Sequence, residues 1–213
     1  MRELRDIAIA MTVYNEPYRQ IYESLSRVFT NLPSAEVCVF LNGQYRPDVS
    51  ALTRELNFKL VVSDNLAKND TWFLWWSGML KFFVSSGAKV CFKFDPDTMV
   101  DAKPTSIPSD DYFGSVRQGG FRKVTFVQGG VTALSSDAVQ QLLAEKLLES
   151  ENVHKWMAPI PANLPLMDDQ LIAEAIAYLG IRPVTWRECR SRWRVPVLNT
   201  PITHSIVHPR YYR

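Results

Sequence analysis

Apolar residues in the first half of the chain follow two different periods. A continuous apolar run at 7–13, of strand length, predicts a central strand covered on both faces. Further strands are predicted at 36–41, 59–63 and 89–94. Between the first two predicted strands, apolar residues recur every three or four positions from Tyr18 to Leu32. This spacing predicts an amphipathic helix that ends before Pro33 and that Asn15 is expected to cap.

An aromatic-rich segment, 70–86, predicts a second helix that stops at Gly87. We expect its aromatic side chains to belong to the core rather than to form a platform for a sugar ring, because helices of small α/β domains bury such stripes. These side chains are Trp72, Phe73, Trp75, Trp76, Phe82 and Phe83.

The second half continues the alternation of strand and helix. It predicts short strands at 124–127 and 131–134, a helix capped by Ser136, a final helix from Asp168 through Leu179, and a last strand at 183–186. Strands that alternate with helices over long crossovers predict an α/β fold, with a mixed, mostly parallel central sheet flanked by helices on both faces. We expect one domain over residues 1–213.

Composition narrows the class of protein. The chain is 46% hydrophobic and 22% charged, with 9 Gly and 13 Pro, which excludes a disordered chain, a collagen-like repeat and a coiled coil. Three widely spaced cysteines predict neither a disulfide framework nor a metal knuckle, and favour a reducing compartment such as the cytoplasm. The longest apolar run, 72–84, is too short and too interrupted to span a bilayer.

Positive charge is concentrated at the carboxyl end. The net charge is +2, yet residues 181–213 contain a single acidic residue, Glu188, and seven arginines: Arg182, Arg187, Arg190, Arg192, Arg194, Arg210 and Arg213. A basic tail on an acidic body indicates a local anion site rather than a general nucleic-acid surface, and a solvated face or a contact to another chain is the alternative.

The triplet Asp95-Pro96-Asp97 follows the apolar run 89–94 directly. In extended backbone, residues two apart point to the same side, so both carboxylates can face one cation, and Pro96 stiffens the pair. Paired hard oxygen ligands at a strand end suit Mg²⁺ or Mn²⁺ carrying a phosphate. The alternative is a solvated turn after a strand.

The order of several short motifs resembles the GT-A class of nucleotide-sugar glycosyltransferases. The motifs are the segment 9–16 (IAMTVYNE), the strand-end Asp-Pro-Asp, Gln128-Gly129-Gly130, Met167-Asp168-Asp169-Gln170 and a carboxyl-terminal histidine segment. The resemblance covers nearly the whole chain. The length and start also look like the N-terminal domain of a chlorovirus glycosyltransferase associated with capsid glycans, which implies a viral protein in the host cytoplasm.

The resemblance implies a metal site. Asp97 would bind Mn²⁺ or Mg²⁺ directly, and Asp95 would lie nearer the ribose and the metal. The third ligand would come from the tail, where His204 is favoured over His208 because the ligand of related enzymes lies several residues before a proline, here Pro209.

The resemblance also implies a donor site and a carboxylate that faces the acceptor or the donor sugar. Residues 1–100 would form the nucleotide-binding half, and 101–213 the acceptor half with the basic tail. The carboxylate would come from Asp168 or Asp169. It would act as a base in an inverting enzyme or stabilise the sugar cation in a retaining enzyme, and the resemblance favours retention.

Donor-site residues would be Thr12, Tyr14, Asn15, Asp64, Lys68, Asn69, Asp95, Gly129, Gly130 and a tail arginine (Arg192, Arg194 or Arg210), with Arg194 as our choice.

The implied activity is the metal-dependent transfer of a hexosyl or 6-deoxyhexosyl group from a UDP-sugar to an oligosaccharide or glycoprotein acceptor. The implied setting is glycoprotein glycan synthesis, with room for further domains of a longer parent chain and no role for nucleic acid.

Three other classes of function compete with this one. A haloacid-dehalogenase-like phosphatase would use Asp95 and Asp97, but Thr98 stands one place early for its motif, which normally lies on the first strand. A dinucleotide-dependent dehydrogenase is disfavoured, because no GxGxxG follows the first predicted strand. A non-catalytic module that binds UDP or a glycan remains as an alternative.

Overall fold

The computed structural model describes residues 6–63, 72–119, 124–149, 152–153, 168–192 and 201–205. The helices are α1 (Tyr18–Asn31), α2 (Pro47–Glu55), α3 (Trp72–Ser86), α4 (Ser136–Ala144) and α5 (Asp168–Tyr178). The strands are β1 (Ile7–Val13), β2 (Glu36–Asn42), β3 (Lys59–Ser63), β4 (Val90–Phe94), β5 (Thr98–Val100), β6 (Tyr112–Gly119), β7 (Val124–Ser135), β8 (Val184–Thr185), β9 (Cys189–Arg192) and β10 (Ile202–Ser205).

The main sheet has the strand order β3-β2-β1-β4-β7-β6-β8. Strands β3, β2, β1 and β4 are parallel, β7 runs antiparallel to both β4 and β6, and β8 is parallel to β6. The chain moves outwards from β1 to β3 on one side and then returns to place β4 on the other side of β1. The carboxyl ends of β1 and β4 therefore flank a topological switch point, where open α/β sheets bind their ligands.

The central strands β1 and β4 are mostly apolar because helices cover both of their faces. In β1, Ile7, Ile9, Met11 and Val13 point towards α1 and α2, and the small residues between them point towards the other face. That other face packs against α3, α4 and α5, through Trp75, Trp76, Phe83, Leu142 and Ile172 among others. The mixed, mostly parallel sheet with helices on both faces is thus confirmed, as is the core position of Trp75, Trp76, Phe82 and Phe83.

A second, three-stranded sheet with the order β5-β10-β9 lies beside α1. Polar side chains of α1 form hydrogen bonds and an ion pair with this sheet and the residue that follows β5. Ser24 Oγ donates to the carbonyl of Thr98 at 2.6 Å, Asn31 Nδ2 donates to the carbonyl of Val100 at 2.7 Å, and Arg27 pairs with Asp101. This sheet therefore supports the turn that follows β4.

Several predicted boundaries were wrong. The side chain of Ser135, not Ser136, caps α4 by accepting from the backbone N–H of Ala138, and α1 begins after Pro17 without a side-chain cap, so Asn15 does not cap it. The strands predicted at 124–127 and 131–134 form one strand, β7, because β4 and β6 pair along its two sides. The pattern of apolar residues did not predict α2, β6 or the strands of the small sheet, and α5 ends at Tyr178, one residue before the predicted end.

Cys38, Cys91 and Cys189 are buried and form no disulfide, and burial raises the pKa of Cys38 and of Cys189 to about 12. In the described part of the chain, none of the helices has the length and apolar character needed to cross a membrane.

Gly114 provides a test of the β6–β7 register. A Cβ at this position, where φ is +153°, would lie 2.4 Å from Val127 Cγ1 and 2.8 Å from the Val131 carbonyl oxygen. We expect Gly114→Ala to lower the free energy of unfolding by about 1–3 kcal/mol, as measured by urea denaturation, because backbone lies in the way. Gly78→Ala in α3 is the control. It should raise the free energy of unfolding by up to about 1 kcal/mol, since the atom nearest to the added Cβ, Phe40 Cε1, is 3.6 Å away. Equal stability of Gly114→Ala and the unmodified protein would contradict the register.

Candidate functional site

Polar side chains meet where β1 and β4 end. The parallel register pairs Ala10 with Lys93 and Met11 with Phe94, so Thr12 comes opposite Asp95, directly after β4. Thr12 Oγ1 donates to Asp95 Oδ1 at 3.1 Å, and Lys93 Nζ donates to the same oxygen at 2.5 Å. Asp95 is therefore held on the face of the sheet that packs against α3 and α5.

Lys93 is the buried cation of this cluster. Its side chain is 2% exposed, and its ammonium also lies 2.9 Å from Asp168 Oδ2 at the start of α5. Burial alone would lower the pKa of Lys93, but the Asp168 and Asp95 carboxylates outweigh it and raise that pKa well above its usual value. Lys93 is thus a permanent positive charge that joins a strand end to a helix start.

Tyr14 covers the inner side of the cluster. Its ring centroid lies 5.5 Å from that of Trp75, and its hydroxyl shares a hydrogen bond with Thr12. Burial raises the pKa of Tyr14 well above its usual value, and the nearby Asp168 carboxylate raises it further. The phenol is therefore neutral and can take part in hydrogen bonds next to the carboxylates.

Glu16 adds another carboxylate. Its Oε2 accepts a hydrogen bond from the backbone N–H of Tyr14 at 2.6 Å, which turns the chain between β1 and α1. Burial raises the pKa of Glu16, and repulsion from Asp95 and Asp97 raises it further. Glu16 therefore faces the Asp-Pro-Asp turn, a position that the helix-cap interpretation of this segment did not predict.

The Asp-Pro-Asp turn is pinned to β7. The carbonyl of Gly130 accepts from the Asp95 N–H at 3.0 Å and from Thr98 Oγ1 at 2.6 Å, and the Thr98 N–H donates back to the Asp95 carbonyl at 2.9 Å. The resemblance implies a turn of small residues at Gly129 and Gly130, but both lie inside strand β7. Gly130 thus fixes both ends of the segment that carries Asp97.

The two aspartates that open α5 differ in surroundings. Asp168 points to Lys93, and Trp76 Nε1 donates to the backbone carbonyl of Asp168 at 3.2 Å. Asp169 is buried near Tyr112. Burial is the main reason that the pKa of Tyr112 is raised, and the charge of Asp169 raises it further. Asp168 is therefore ion-paired with Lys93.

His204 reaches the site through its backbone. In β10 it pairs with Thr98 of β5, directly after Asp97. Among the described side chains, which do not include that of His204, no group of three or more His, Cys, Asp or Glu residues is arranged to hold a metal ion.

Other predicted site residues fall elsewhere. Asn15 is exposed beside Tyr14. Those outside the described residues are Asp64, Lys68, Asn69, Arg194, His208 and Arg210, together with the side chain of Arg192. The described arginines of the tail, Arg182, Arg187 and Arg190, are exposed.

Two members of the cluster, Lys93 and Glu16, were not predicted as site residues from the sequence. A lysine inside a strand predicted to be buried on both faces needs a buried partner, and that signal could have identified Lys93.

A separate cleft of about 580 Å³ lies near β8 and is lined by residues such as Thr105, Trp186 and Pro201. In it, Glu188 accepts hydrogen bonds from the backbone N–H and hydroxyl groups of both Thr105 and Ser106, at 2.7–3.0 Å. None of its lining residues belongs to the carboxylate cluster, and Glu188 already has structural partners there.

Comparison with solved structures identifies the fold. A mannosyltransferase from Pyrobaculum calidifontis, PcManGT, in complex with GDP-Man and Mn²⁺, is similar to this chain, with a TM-score of 0.52 and 14% sequence identity. The match covers 85% of this chain and 54% of the mannosyltransferase, so the chain spans about half the length of that protein. No protein-family model matches the chain, and no curated protein matches it significantly. The shared feature is a Rossmann-like α/β fold.

Glu16 offers a test of the electrostatics of the site. The pKa of Glu16 is higher in the folded protein than in the unfolded chain, so ionised Glu16 destabilises the folded protein at a pH above the folded-state pKa. The destabilisation disappears below the pKa of the unfolded chain, about 4.3. We expect Glu16→Gln to raise the Tm at pH 7, with a gain that fades towards pH 4, in thermal denaturation without divalent cations. The control Glu23→Gln, which removes a carboxylate paired with Arg19 on α1, should not raise the Tm at pH 7. A lower Tm of Glu16→Gln at pH 7 would contradict the assignment.

Proposed function

We propose that this protein is a metal-dependent glycosyltransferase that moves a hexosyl or 6-deoxyhexosyl group from a UDP-sugar to an oligosaccharide or glycoprotein acceptor. One observation carries the proposal. The carboxylates of Glu16, Asp95, Asp97 and Asp168 gather at the switch point of the sheet, and among the described residues one ammonium, Lys93, lies among them. Such an excess of negative charge favours a bound cation.

The residues present fit a divalent cation. The described contacts of Asp95 engage its Oδ1 and leave Oδ2 available, and Asp97 follows in the same turn. Mg²⁺ and Mn²⁺ accept hard oxygen donors, and in phosphate-binding sites they are held by one or two carboxylates, substrate phosphates and water. A pair of aspartates without a closed protein cage suits that mode of binding. The solved structure of a similar fold, which holds GDP-Man and Mn²⁺, supports a divalent cation and a nucleotide-sugar donor in general, and UDP stays a proposal.

We further propose His204 as the third protein ligand. The pairing of β10 with β5 brings its backbone opposite Thr98, next to Asp97, which supports His204 over the later His208. A neutral imidazole is an acceptable partner for two carboxylates around Mn²⁺.

The donor nucleotide would occupy the space between the ends of β1 and β4. Thr12 and Tyr14 would contact the nucleoside, and exposed Asn15 extends that surface. The neutral phenol of Tyr14 can hydrogen-bond to a ribose or to the base without adding charge to the cluster. The remaining donor contacts stay proposals: Asp64, Lys68, Gly129, Gly130 and Arg194.

Bond cleavage releases a nucleoside diphosphate, which gains negative charge in the transition state. A divalent cation at Asp95 and Asp97 would supply Lewis-acid stabilisation of that diphosphate. Asp168, held by Lys93, would face the sugar, either to accept the proton of the acceptor hydroxyl or to stabilise positive charge on the sugar ring. Asp169, buried beside Tyr112, would support the start of α5 instead.

Asp97→Asn tests the metal assignment. In the unmodified protein, Mn²⁺ together with UDP should raise the Tm by several degrees, because a ligand that binds only the folded state stabilises it. We expect Asp97→Asn to abolish this rise, since the variant loses the charge that binds the cation. Asp137→Asn, an exposed aspartate at the start of α4, is the control and should keep the full rise.

Other nucleotides and products separate the competing functions. A rise with GDP and Mn²⁺ but not with UDP would change the donor class, and no rise with any nucleoside diphosphate would contradict the proposal. Release of UDP from a UDP-sugar distinguishes an enzyme from a binding module, and release of inorganic phosphate would favour a phosphatase. The position of the Asp-Pro-Asp turn after β4, rather than after β1, already disfavours the phosphatase.

A further inference from the structure

Lys93 occupies a position where the fold would otherwise use an apolar side chain. Its strand, β4, is buried on both faces, and Lys93 points to the same face as Cys91, into the layer formed by α3 and α5. A buried ammonium is costly unless carboxylates compensate it. Here Asp95 Oδ1 at 2.5 Å and Asp168 Oδ2 at 2.9 Å provide that compensation.

The two carboxylates come from different parts of the chain. Asp95 belongs to the turn after β4, and Asp168 is the first residue of α5. Both are more exposed than the ammonium, with side chains 27% and 20% accessible against 2% for Lys93. The Lys93 ammonium therefore lies deeper in the protein than the two carboxylates and links Asp95 Oδ1 to Asp168 Oδ2.

We propose that Lys93 is a positioning residue that sets the separation between the Asp-Pro-Asp turn and the first residue of α5. The proposal rests on the proposed function, in which the turn binds the metal–diphosphate and Asp168 faces the sugar. Lys93 touches neither ligand and acts through the two carboxylates. By holding both carboxylates, Lys93 fixes the position of Asp168 relative to the Asp-Pro-Asp turn before a ligand binds.

The structure contains a reporter of this arrangement. Trp76 Nε1 donates to the backbone carbonyl of Asp168 at 3.2 Å, so the indole N–H responds to the position of the first turn of α5. Hydrogen exchange of that N–H, followed by NMR, reads the position of Asp168 without any donor, metal or turnover.

The experiment compares Lys93→Met with Lys89→Met. Lys89 directly precedes the same strand, and its ammonium pairs with Asp6 at the surface, so Lys89→Met removes a lysine ion pair outside the site. We expect exchange of the Trp76 indole N–H to accelerate at least about tenfold in Lys93→Met and to stay unchanged in Lys89→Met. Exchange in Lys93→Met within twofold of the unmodified protein would overturn the proposal.

A second readout separates positioning from general loss of structure. Calorimetric titration with UDP and Mn²⁺ measures the fraction of protein molecules that bind the nucleotide. The kcat is then calculated for that fraction alone, so that misfolded protein does not lower it. We expect Lys93→Met to lower this kcat by about 10²-fold or more with a KM for the donor changed by less than about threefold, because misplacement of a catalytic group by about 1 Å has an effect of that size. An unchanged kcat per site would also overturn the proposal.

If Lys93→Met does not fold, Asp168→Asn breaks the same link from its more exposed end and leaves Lys93 paired with Asp95. It should accelerate exchange of the Trp76 indole as well, and unaltered exchange would again contradict the proposal. Because the exchange measurement needs no nucleotide, it decides the role of Lys93 even where UDP fails to bind, and that failure would count against the proposed function alone.

Discussion

The constraint on which this structure depends is the neutralisation of charge at the edge of an apolar sheet. Strands β1 and β4 are buried on both faces, yet the chain places several carboxylates where these strands end. The buried ammonium of Lys93 offsets part of that charge by binding Asp95 and Asp168. In the proposed function, the remaining carboxylates would meet a divalent cation that carries a diphosphate.

Both layers of helices contribute to the geometry of the site. On one face, α1 holds the small sheet through Ser24 and Asn31, and that sheet continues from the Asp-Pro-Asp turn. On the other face, α3 holds the start of α5 through Trp76, and Gly130 of β7 fixes the turn from the side. Hydrogen bonds to neighbouring elements thus hold both the Asp-Pro-Asp turn and the start of α5, as expected of a preorganised site.

The sequence allowed the central fold to be predicted because periodicity reports burial, and the strands that are buried on both faces have unmistakable apolar runs. It failed for the small sheet, whose strands contain polar residues such as Arg190 and Thr203 and are defined by pairing rather than by pattern. The Asp-Pro-Asp turn and Asp168 were predicted as site residues. Lys93 was not, because its role depends on a contact across 75 positions that no local pattern displays.

The central claim is that the Asp-Pro-Asp turn binds a cation that holds a departing diphosphate. Crystals grown with UDP and Mn²⁺, with diffraction recorded at the manganese absorption edge, test it most directly. We predict one anomalous peak bonded to a carboxylate oxygen of Asp97 and to an oxygen of the diphosphate, with the uridine beside Thr12 and Tyr14. Ordered UDP elsewhere on the molecule, or manganese bound away from Asp97, would contradict the account.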